Sequence, residues 1–394
     1  MRVCLPGAAL AAVIVQGCFC INGFAQSAKA ASSRAQTVQR SSPAFEALKD
    51  RAQAALNADK LDEAVPLLRK ALALNPRWTE GWWSLGTTLY DQDRYAEAGL
   101  ALKKVVALDP KQGTARALLG LCEFELGDDA AALRDIEASK DVGVDVDPQL
   151  RDVLLYHEGI LLQRMGRFVA AEKPFASMCV GETRNPDVIR GFGMAALRMR
   201  NRTFPVPGSE AGRAVELVGR GACLAAHKDI EQARAVFSSA EEAYPHFPYI
   251  HYAYARVLND AQDTAGAVAE FKRELDEGHD RVLSLLQIAA AEYKVDSAAG
   301  LPYAEQAVRL APQMPFAHFL LGLLLQSTGA NVRAVTELEI ASKGLSQDKR
   351  VFWALGVAYN QAGRAEDAAR ARAEFARLNQ KAKQQAESSV EVPD

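Results

Sequence analysis

Histidine, serine and glycine could do chemistry in this chain, but their spacing matches no catalytic or phosphate-binding site. His157-Glu158 lacks the second histidine, one helical turn later, that a zinc-binding His-Glu-x-x-His motif requires. The sequence contains no glycine-rich loop followed by Lys and Ser or Thr, and no Gly-x-Ser-x-Gly turn to expose a nucleophile. We therefore predict a non-enzymatic protein with no catalytic residue, no metal site and no cofactor.

The cysteines indicate packing rather than redox chemistry. Three of the six lie within the first twenty residues, and the other three, Cys122, Cys179 and Cys223, are far apart in sequence. An odd number without a Cys-x-x-Cys pair predicts neither a disulfide framework nor a metal site. Cys122 and Cys223 lie among small residues in helical patterns, so we expect both to be buried as compact apolar side chains.

Composition excludes two further classes of protein. With 46 basic and 49 acidic residues and a net charge of -3, the chain offers no electrostatic attraction for a polyphosphate, so we predict no nucleic-acid partner. Hydrophobic residues make up 49% of the chain, which excludes disorder throughout. Many of them are alanine, and this favours closely packed helices.

The amino terminus has the features of a secretory signal peptide over residues 1–25. An apolar stretch leads to the small-residue sequence Gly23-Phe24-Ala25, which suits a signal peptidase. Two alternatives associate the chain with a membrane: the leader stays as an uncleaved anchor, or Cys18 is lipidated after Gly17. Residues 26–42 are rich in Ser, Ala and Gln and are predicted to be a flexible linker. We expect an exported protein, periplasmic or associated with the cell envelope.

A repeat of 34 residues organises the rest of the chain. Gly86 and Gly120 are 34 residues apart, as are Gly322 and Gly356. A fixed period of this length is typical of a solenoid. In the clearest copy, over residues 79–112, a first apolar helical pattern is followed by a turn and a second pattern that ends before a proline. Its residues in register are Trp82, Leu85, Gly86, Leu89, Tyr90, Tyr95, Ala98, Leu102, Val105 and Pro110.

This pattern resembles the tetratricopeptide repeat, over roughly residues 45–382. The resemblance implies an all-α, right-handed superhelical solenoid of about nine antiparallel helix pairs, in an exported bacterial protein of this type. We expect a first array over 43–200, in which the last helix, over about 187–200, lacks a partner. A proline-rich joint over 201–213, a second array over 214–382 and a tail over 383–394 follow.

The resemblance also implies a concave surface, lined by the first helix of each pair, that binds a peptide or helix of a partner protein. Carrying the family's inner-facing positions onto this chain predicts the partner-binding residues Trp83, Tyr90, Phe124, Tyr249, Tyr252, Arg256, Tyr293, Phe316, Phe319, Arg350 and Trp353. We weigh against this the alternative that the rings only fill gaps between repeats. The family's clamp for a terminal carboxylate is not expected, since Ser84 and Thr87 stand at two of its places. The alternative function is a structural accessory subunit of an envelope assembly, secretion or polysaccharide-export complex.

Overall fold

The computed structural model describes residues 42–142, 148–179 and 185–388, and all regular structure in these residues is helical. The described chain divides into two compact units between Pro174 and Phe175. The helices up to this division are α1 Pro43–Asn57, α2 Leu61–Leu74, α3 Thr79–Asp91, α4 Tyr95–Leu108, α5 Gly113–Glu125, α6 Asp129–Asp141, α7 Pro148–Arg164 and α8 Phe168–Met178, which contains it. Those after it are α9 Pro186–Ala196, α10 Glu210–Ala226, α11 Ile230–Ala243, α12 Ile250–Asp260, α13 Thr264–Glu277, α14 Arg281–Tyr293, α15 Ser297–Leu310, α16 Pro315–Ser327, α17 Asn331–Gly344, α18 Lys349–Gln361 and α19 Ala365–Ser388.

Consecutive helices pack in pairs, as the repeat predicts. The pairs are α1 with α2, α3 with α4 and α5 with α6 in the first unit, and α10 with α11, α12 with α13, α14 with α15, α16 with α17 and α18 with α19 in the second. Ala98, Leu102 and Val105 of α4 have no exposed surface. Helix α4 ends at Leu108, before Asp109-Pro110, because proline cannot continue a helix.

The repeated glycines allow the two helices of a pair to approach closely. A Cβ atom on Gly86 would lie 2.9 Å from Leu102 Cγ, and one on Gly322 would lie 2.6 Å from Leu338 Cγ. Both distances are shorter than a carbon–carbon contact allows. The prediction of closely packed helices is confirmed at these two positions.

The prediction that the helix over 187–200 lacks a partner is wrong. This helix, α9, belongs to the second unit and packs along α10. Gly193 of α9 faces the carbonyl of Val215, and Gly219 of α10 faces the carbonyl of Ile189, so the two backbones touch with no side chain between them. The sequence analysis assigned α9 to the first array because Gly193 and Gly221 are only 28 residues apart. This distance is too short for a complete helix pair that begins with α9.

The proline-rich segment also ends earlier than predicted, at Ser209. The Ser209 hydroxyl accepts a hydrogen bond from the amide of Gly212 at 3.0 Å and so caps α10. Upstream, the Phe204 ring packs against the core of the second unit with the Arg190 guanidinium 5.3 Å from its centre. The segment is therefore anchored to α9 and to the core at Phe204.

Two cysteines form a disulfide bond that the sequence analysis did not predict. Cys179, directly after α8, is bonded to Cys223 in the last turn of α10. The expectation that Cys223 acts only as a buried apolar side chain is therefore wrong. Cys122 is buried and free, and burial raises the pKa of its thiol to about 12, which agrees with the packing role predicted for it.

Both ends of the chain carry predictions that lie outside the described residues. The signal peptide over 1–25 and almost all of the linker over 26–42 fall there, as do the last six residues of the predicted tail. Helix α19 continues to Ser388, beyond the predicted end of the second array at residue 382. None of the helices in the described residues combines the length and the apolar character that a bilayer crossing requires.

Candidate partner-binding surface

In the first unit, the predicted residues Trp83 and Tyr90 lie half-buried on α3. The Tyr90 ring meets the Tyr95 ring edge to face at 5.4 Å between centres. Burial raises the pKa of the Tyr90 phenol, so it remains a neutral hydrogen-bonding group. Between the two predicted residues, the Thr87 hydroxyl donates to the Trp83 carbonyl at 3.1 Å and is engaged with its own helix. This surface offers two partly accessible aromatic rings.

Phe124 is covered by neighbours within the first unit. The Arg164 guanidinium lies 4.4 Å from the centre of its ring, and the His157 ring meets it edge to face at 4.6 Å. A cation over an aromatic face and a perpendicular ring pair are both attractive contacts. Phe124 therefore joins α5 to α7 and is half-buried like Tyr90, and its role as a partner contact stays a prediction.

His157 makes the first unit sensitive to acid. The pKa of His157 is lowered to about 4, because burial disfavours the imidazolium and, to a smaller extent, because Arg164 is nearby. A folded-state pKa below the unfolded value of about 6.5 means that the unfolded chain takes up the proton first. The stability contributed by neutral His157 is complete above about pH 6.5 and is lost as the pH falls towards about 4.

We therefore expect the first unit to lose up to about 3 kcal/mol of stability between pH 7 and pH 4 through this group alone. The measurement is urea unfolding at both pH values, followed by 19F NMR of 5-fluorotryptophan at Trp78, Trp82 and Trp83, which all lie in the first unit. The His157→Gln variant should show a smaller loss across the same interval. An equal loss in the variant would contradict this assignment.

In the second unit, two of the predicted surface rings belong to the core. Tyr252 is 2% exposed and packs against Phe271, with 5.7 Å between ring centres. Phe319 is 6% exposed and lies in the apolar cluster of the last repeats, with Phe316 beside it. The prediction of both residues as open partner contacts is wrong, because neighbouring helices and side chains cover these positions.

Three other predicted residues, Tyr249, Arg256 and Tyr293, are half-buried. Tyr249 precedes α12 with a left-handed backbone (φ 68°), and its amide donates to the Glu274 carboxylate at 3.3 Å. Tyr293, the last residue of α14, packs against the apolar cluster that contains Phe319. All three side chains are therefore only partly accessible to a partner, and that of Tyr293 packs within the second unit.

The remaining predicted residues form the most accessible aromatic surface on the first helices of the second unit. Phe316 is 41% exposed and Trp353 is 54% exposed. Phe316 lies 6.2 Å from the ring of Phe319, and the Arg350 guanidinium of α18 lies 5.9 Å from that same ring. Because Arg350 and Trp353 are three residues apart on α18, they lie on one face. We call the exposed residues Phe316, Arg350 and Trp353 the Phe316–Trp353 surface, and the buried ring of Phe319 contacts two of them.

Electrostatics fix the orientation of Arg350 on this surface. Its guanidinium donates to both oxygens of the Asp348 carboxylate, from Nη2 to Oδ2 at 2.6 Å and from Nε to Oδ1 at 3.0 Å. The pKa of Asp348 is lowered, mainly by this hydrogen-bonded pairing. The Phe316–Trp353 surface therefore presents two accessible rings beside a cation whose charge is partly neutralised, an arrangement suited to apolar contacts with a polar rim.

The sequence analysis missed a set of buried histidine–glutamate contacts. His251 Nδ1 lies 2.8 Å from Glu270 Oε2, and His318 Nδ1 lies 2.6 Å from Glu337 Oε2. The two histidines are 67 residues apart, and so are the two glutamates, which is about two repeat lengths. Aligning the polar residues of the repeats, and not only the apolar ones, would have revealed this recurring contact between the two helices of a pair.

The sequence profile of a tetratricopeptide-repeat family matches residues 49–113, 84–140 and 221–280. The chain contains tetratricopeptide repeats. The helix pairs of this repeat continue beyond the matched residues, through α14 to α19. Tetratricopeptide repeats characteristically form protein-interaction scaffolds, and the fold supports a protein or peptide partner for this chain as well. No curated protein matches the sequence.

Several solved structures share the repeat at low similarity. MamA from Desulfovibrio magneticus RS-1, from residue 41 to the end, is 19% identical, with 44% of this chain and 97% of that chain covered and a TM-score of 0.40. YrrB, described as a TPR protein with an unusual peptide-binding site, is 19% identical over 42% of this chain and 86% of that chain, with a TM-score of 0.37. A chain of the APC/C hetero-tetramer Cut9–Hcn1 is 13% identical over 85% of this chain and 87% of that chain, with a TM-score of 0.36. The assignment above rests on the repeat profile and on the helix pairs of this chain.

Proposed function

We propose that the protein is a non-enzymatic scaffold that binds a peptide segment or helix of a partner protein at the Phe316–Trp353 surface. The observation that carries the proposal is the exposure of Trp353 and Phe316 on the first helices α18 and α16, beside Arg350. Exposed tryptophan and arginine are enriched among the residues that dominate binding energy. Isolated exposed rings are common, but Phe316 and Trp353 lie on successive first helices, α16 and α18, which are in contact where Arg350 approaches the Phe319 ring.

The geometry favours an apolar segment with polar flanks as the ligand. A partner side chain that covers Trp353 removes apolar area from water, while Arg350 and Asp348 remain at the edge to receive polar groups. Short helices and extended peptides both place apolar side chains at regular intervals that can contact two neighbouring rings. The first unit has its own partly accessible rings, Trp83 and Tyr90, which we propose as a separate contact site.

Replacing both accessible rings should abolish most of the affinity without unfolding the chain. For Phe316→Ala/Trp353→Ala we expect a loss of about 2 to 4 kcal/mol of binding energy, or roughly 30-fold to 1,000-fold in Kd, because both rings contact the partner. The measurement is calorimetric titration of a partner recovered by affinity capture with the unaltered chain. Val332→Ala is the matched control, since Val332 is 76% exposed but lies on the second helix α17. Unchanged affinity in the double variant would contradict the proposal.

We propose further that the chain is exported and acts in the bacterial cell envelope. The leader over residues 1–25 supports this, and the Cys179–Cys223 disulfide supports it independently, because such bonds persist in oxidising compartments and are rare in the cytosol. Cell fractionation combined with thiol labelling tests the location. The expected result is chain in the periplasmic or envelope fraction with Cys179 and Cys223 protected from labelling. Chain in the cytosol with both thiols labelled would contradict it.

A further inference from the structure

Three side chains from three consecutive helices of the second unit converge on one point. Glu241 lies on α11, His251 on α12 and Glu270 on α13. His251 Nδ1 lies 2.9 Å from Glu241 Oε1 and 2.8 Å from Glu270 Oε2, and these three atoms all lie within 4.8 Å of one another. We call these residues the Glu241–His251–Glu270 cluster. It lies outside the Phe316–Trp353 surface and has no role in the function proposed above.

The cluster is largely shielded from water and its carboxylates are held in place. Each of the three side chains retains at most 15% of its accessible surface. Arg273 contacts the other oxygen of each carboxylate, at 2.9 Å from Glu270 Oε1 and 3.9 Å from Glu241 Oε2. The oxygens that face His251 Nδ1 are therefore distinct from those that face the guanidinium. In protein metal sites, contacts to the carboxylate oxygen that does not bind the metal hold the ligating oxygen in its orientation.

The cluster lacks one positive charge. Two carboxylates and the Arg273 guanidinium leave a net charge of -1 when the imidazole is neutral. A divalent cation bound between His251 Nδ1 and the two carboxylate oxygens would supply positive charge at this point.

We propose that the Glu241–His251–Glu270 cluster binds a divalent transition-metal ion, with Glu241 Oε1, His251 Nδ1 and Glu270 Oε2 as the three protein ligands. One imidazole nitrogen and two carboxylate oxygens form a donor set suited to Zn²⁺, with water in the fourth position. Tetrahedral Zn²⁺ with bonds of about 2.1 Å places its ligand atoms about 3.4 Å apart. The two separations from His251 Nδ1, 2.9 Å and 2.8 Å, would open by about half an ångström to reach this spacing.

The repeat two units further on provides an internal comparison. His318 occupies the position equivalent to His251, and Glu337 the position equivalent to Glu270. The second ring nitrogen of His318 lies 2.9 Å from the carbonyl of Pro312, and at the position equivalent to Glu241 stands Val308. His318 therefore has one carboxylate where His251 has two. A metal should bind at His251 and not at His318.

Zn²⁺ titration of the full chain, purified without a polyhistidine tag, tests the proposal. We expect one Zn²⁺ per chain bound with micromolar Kd at pH 7.5, measured by calorimetry, and a raised unfolding temperature of the second unit. His251→Gln should weaken binding at least about 10-fold, whereas His318→Gln should leave it unchanged.

Co²⁺ binding to the unaltered chain is a second test, and its result does not depend on whether the variants fold. We expect Co²⁺ added to the unaltered chain to develop visible absorption bands of a low-coordinate site, and Zn²⁺ to displace them. Circular dichroism of His251→Gln checks that its helix content is retained. No stoichiometric binding when Zn²⁺ is in 100-fold excess over a micromolar concentration of the chain, or equal binding in His251→Gln, would overturn the proposal and leave the cluster as an ion-pair network.

Discussion

We expect the Cys179→Ala/Cys223→Ala variant to lose about 4 kcal/mol of the free energy of unfolding of the second unit. The bond joins residues 44 positions apart, and a cross-link over a loop of this length removes much of the conformational freedom of the unfolded chain. It also fastens the chain directly after α8 to α10, the helix that packs against α9. Breaking it should therefore loosen the start of the second unit before its end.

Urea unfolding followed at Trp353, the one tryptophan of residues 175–394, measures this loss. A reductant should destabilise the unaltered chain by a similar amount and should have no further effect on the double variant. Cys122→Ala is the control, because Cys122 is free and its variant should still respond to the reductant. Identical unfolding curves with and without reductant in the unaltered chain would contradict the account.

The second large effect concerns the contact between α9 and α10. We expect Gly219→Ala to destabilise the second unit by at least about 3 kcal/mol, the upper end of the usual cost of overpacking. A Cβ atom at this position would overlap the carbonyl group of Ile189, which is backbone and cannot rotate away. The helices must separate to accept it, and the neighbouring contacts between Gly193 and Val215 would be lost as well.

Gly99→Ala is the matched control for this substitution. Gly99 is also a buried helical glycine, but a Cβ atom there would meet its nearest neighbours at 3.7 Å, which is an ordinary contact. Because alanine favours the helix more than glycine does, we expect Gly99→Ala to be neutral or to stabilise by up to about 1 kcal/mol. Thermal unfolding of both variants by circular dichroism makes the comparison. Equal tolerance of both substitutions would show that α9 and α10 are not in backbone contact.

The repeating helix pairs could be predicted from sequence because few residue types satisfy their packing. Gly86 and Gly322 stand where a larger side chain would collide with Leu102 and Leu338, so the 34-residue spacing of small residues marks the helix contacts. Prolines after α2 and α4 mark helix ends for an equally local reason. Local constraints of this kind recur in several repeats and can be read from sequence.

The accessibility of the candidate surface could not be predicted in the same way. Tyr252, Phe319 and Trp353 occupy equivalent positions in three repeats, yet only Trp353 is open to solvent. Phe319 is approached by Arg350 from the next first helix, α18, whereas no further first helix follows α18 in the described part of the chain. Whether a ring is exposed to solvent depends on whether a further repeat packs beside it. The position of the ring within its own repeat does not predict this.

The disulfide and the Glu241–His251–Glu270 cluster depend on contacts between distant segments. Cys179 and Cys223 come together because α9 packs back along α10, which the repeat period did not predict. The cluster adds Glu241 to the His251–Glu270 contact, which recurs at His318–Glu337, and Val308 stands at the position equivalent to Glu241. The disulfide and the third member of the cluster depart from the repeat, and these are the features that require the structure.

Site-specific photocrosslinking in the producing cells tests the central claim, partner binding at the Phe316–Trp353 surface, most directly. A photoreactive amino acid is placed at Trp353 in one variant and at Val332 in another, two exposed apolar positions on a first and a second helix. The account predicts a crosslink to one defined protein from position 353, mapped by mass spectrometry to a single short segment, and little or none from position 332. Equal crosslinking from both positions, or from position 332 alone, would contradict it.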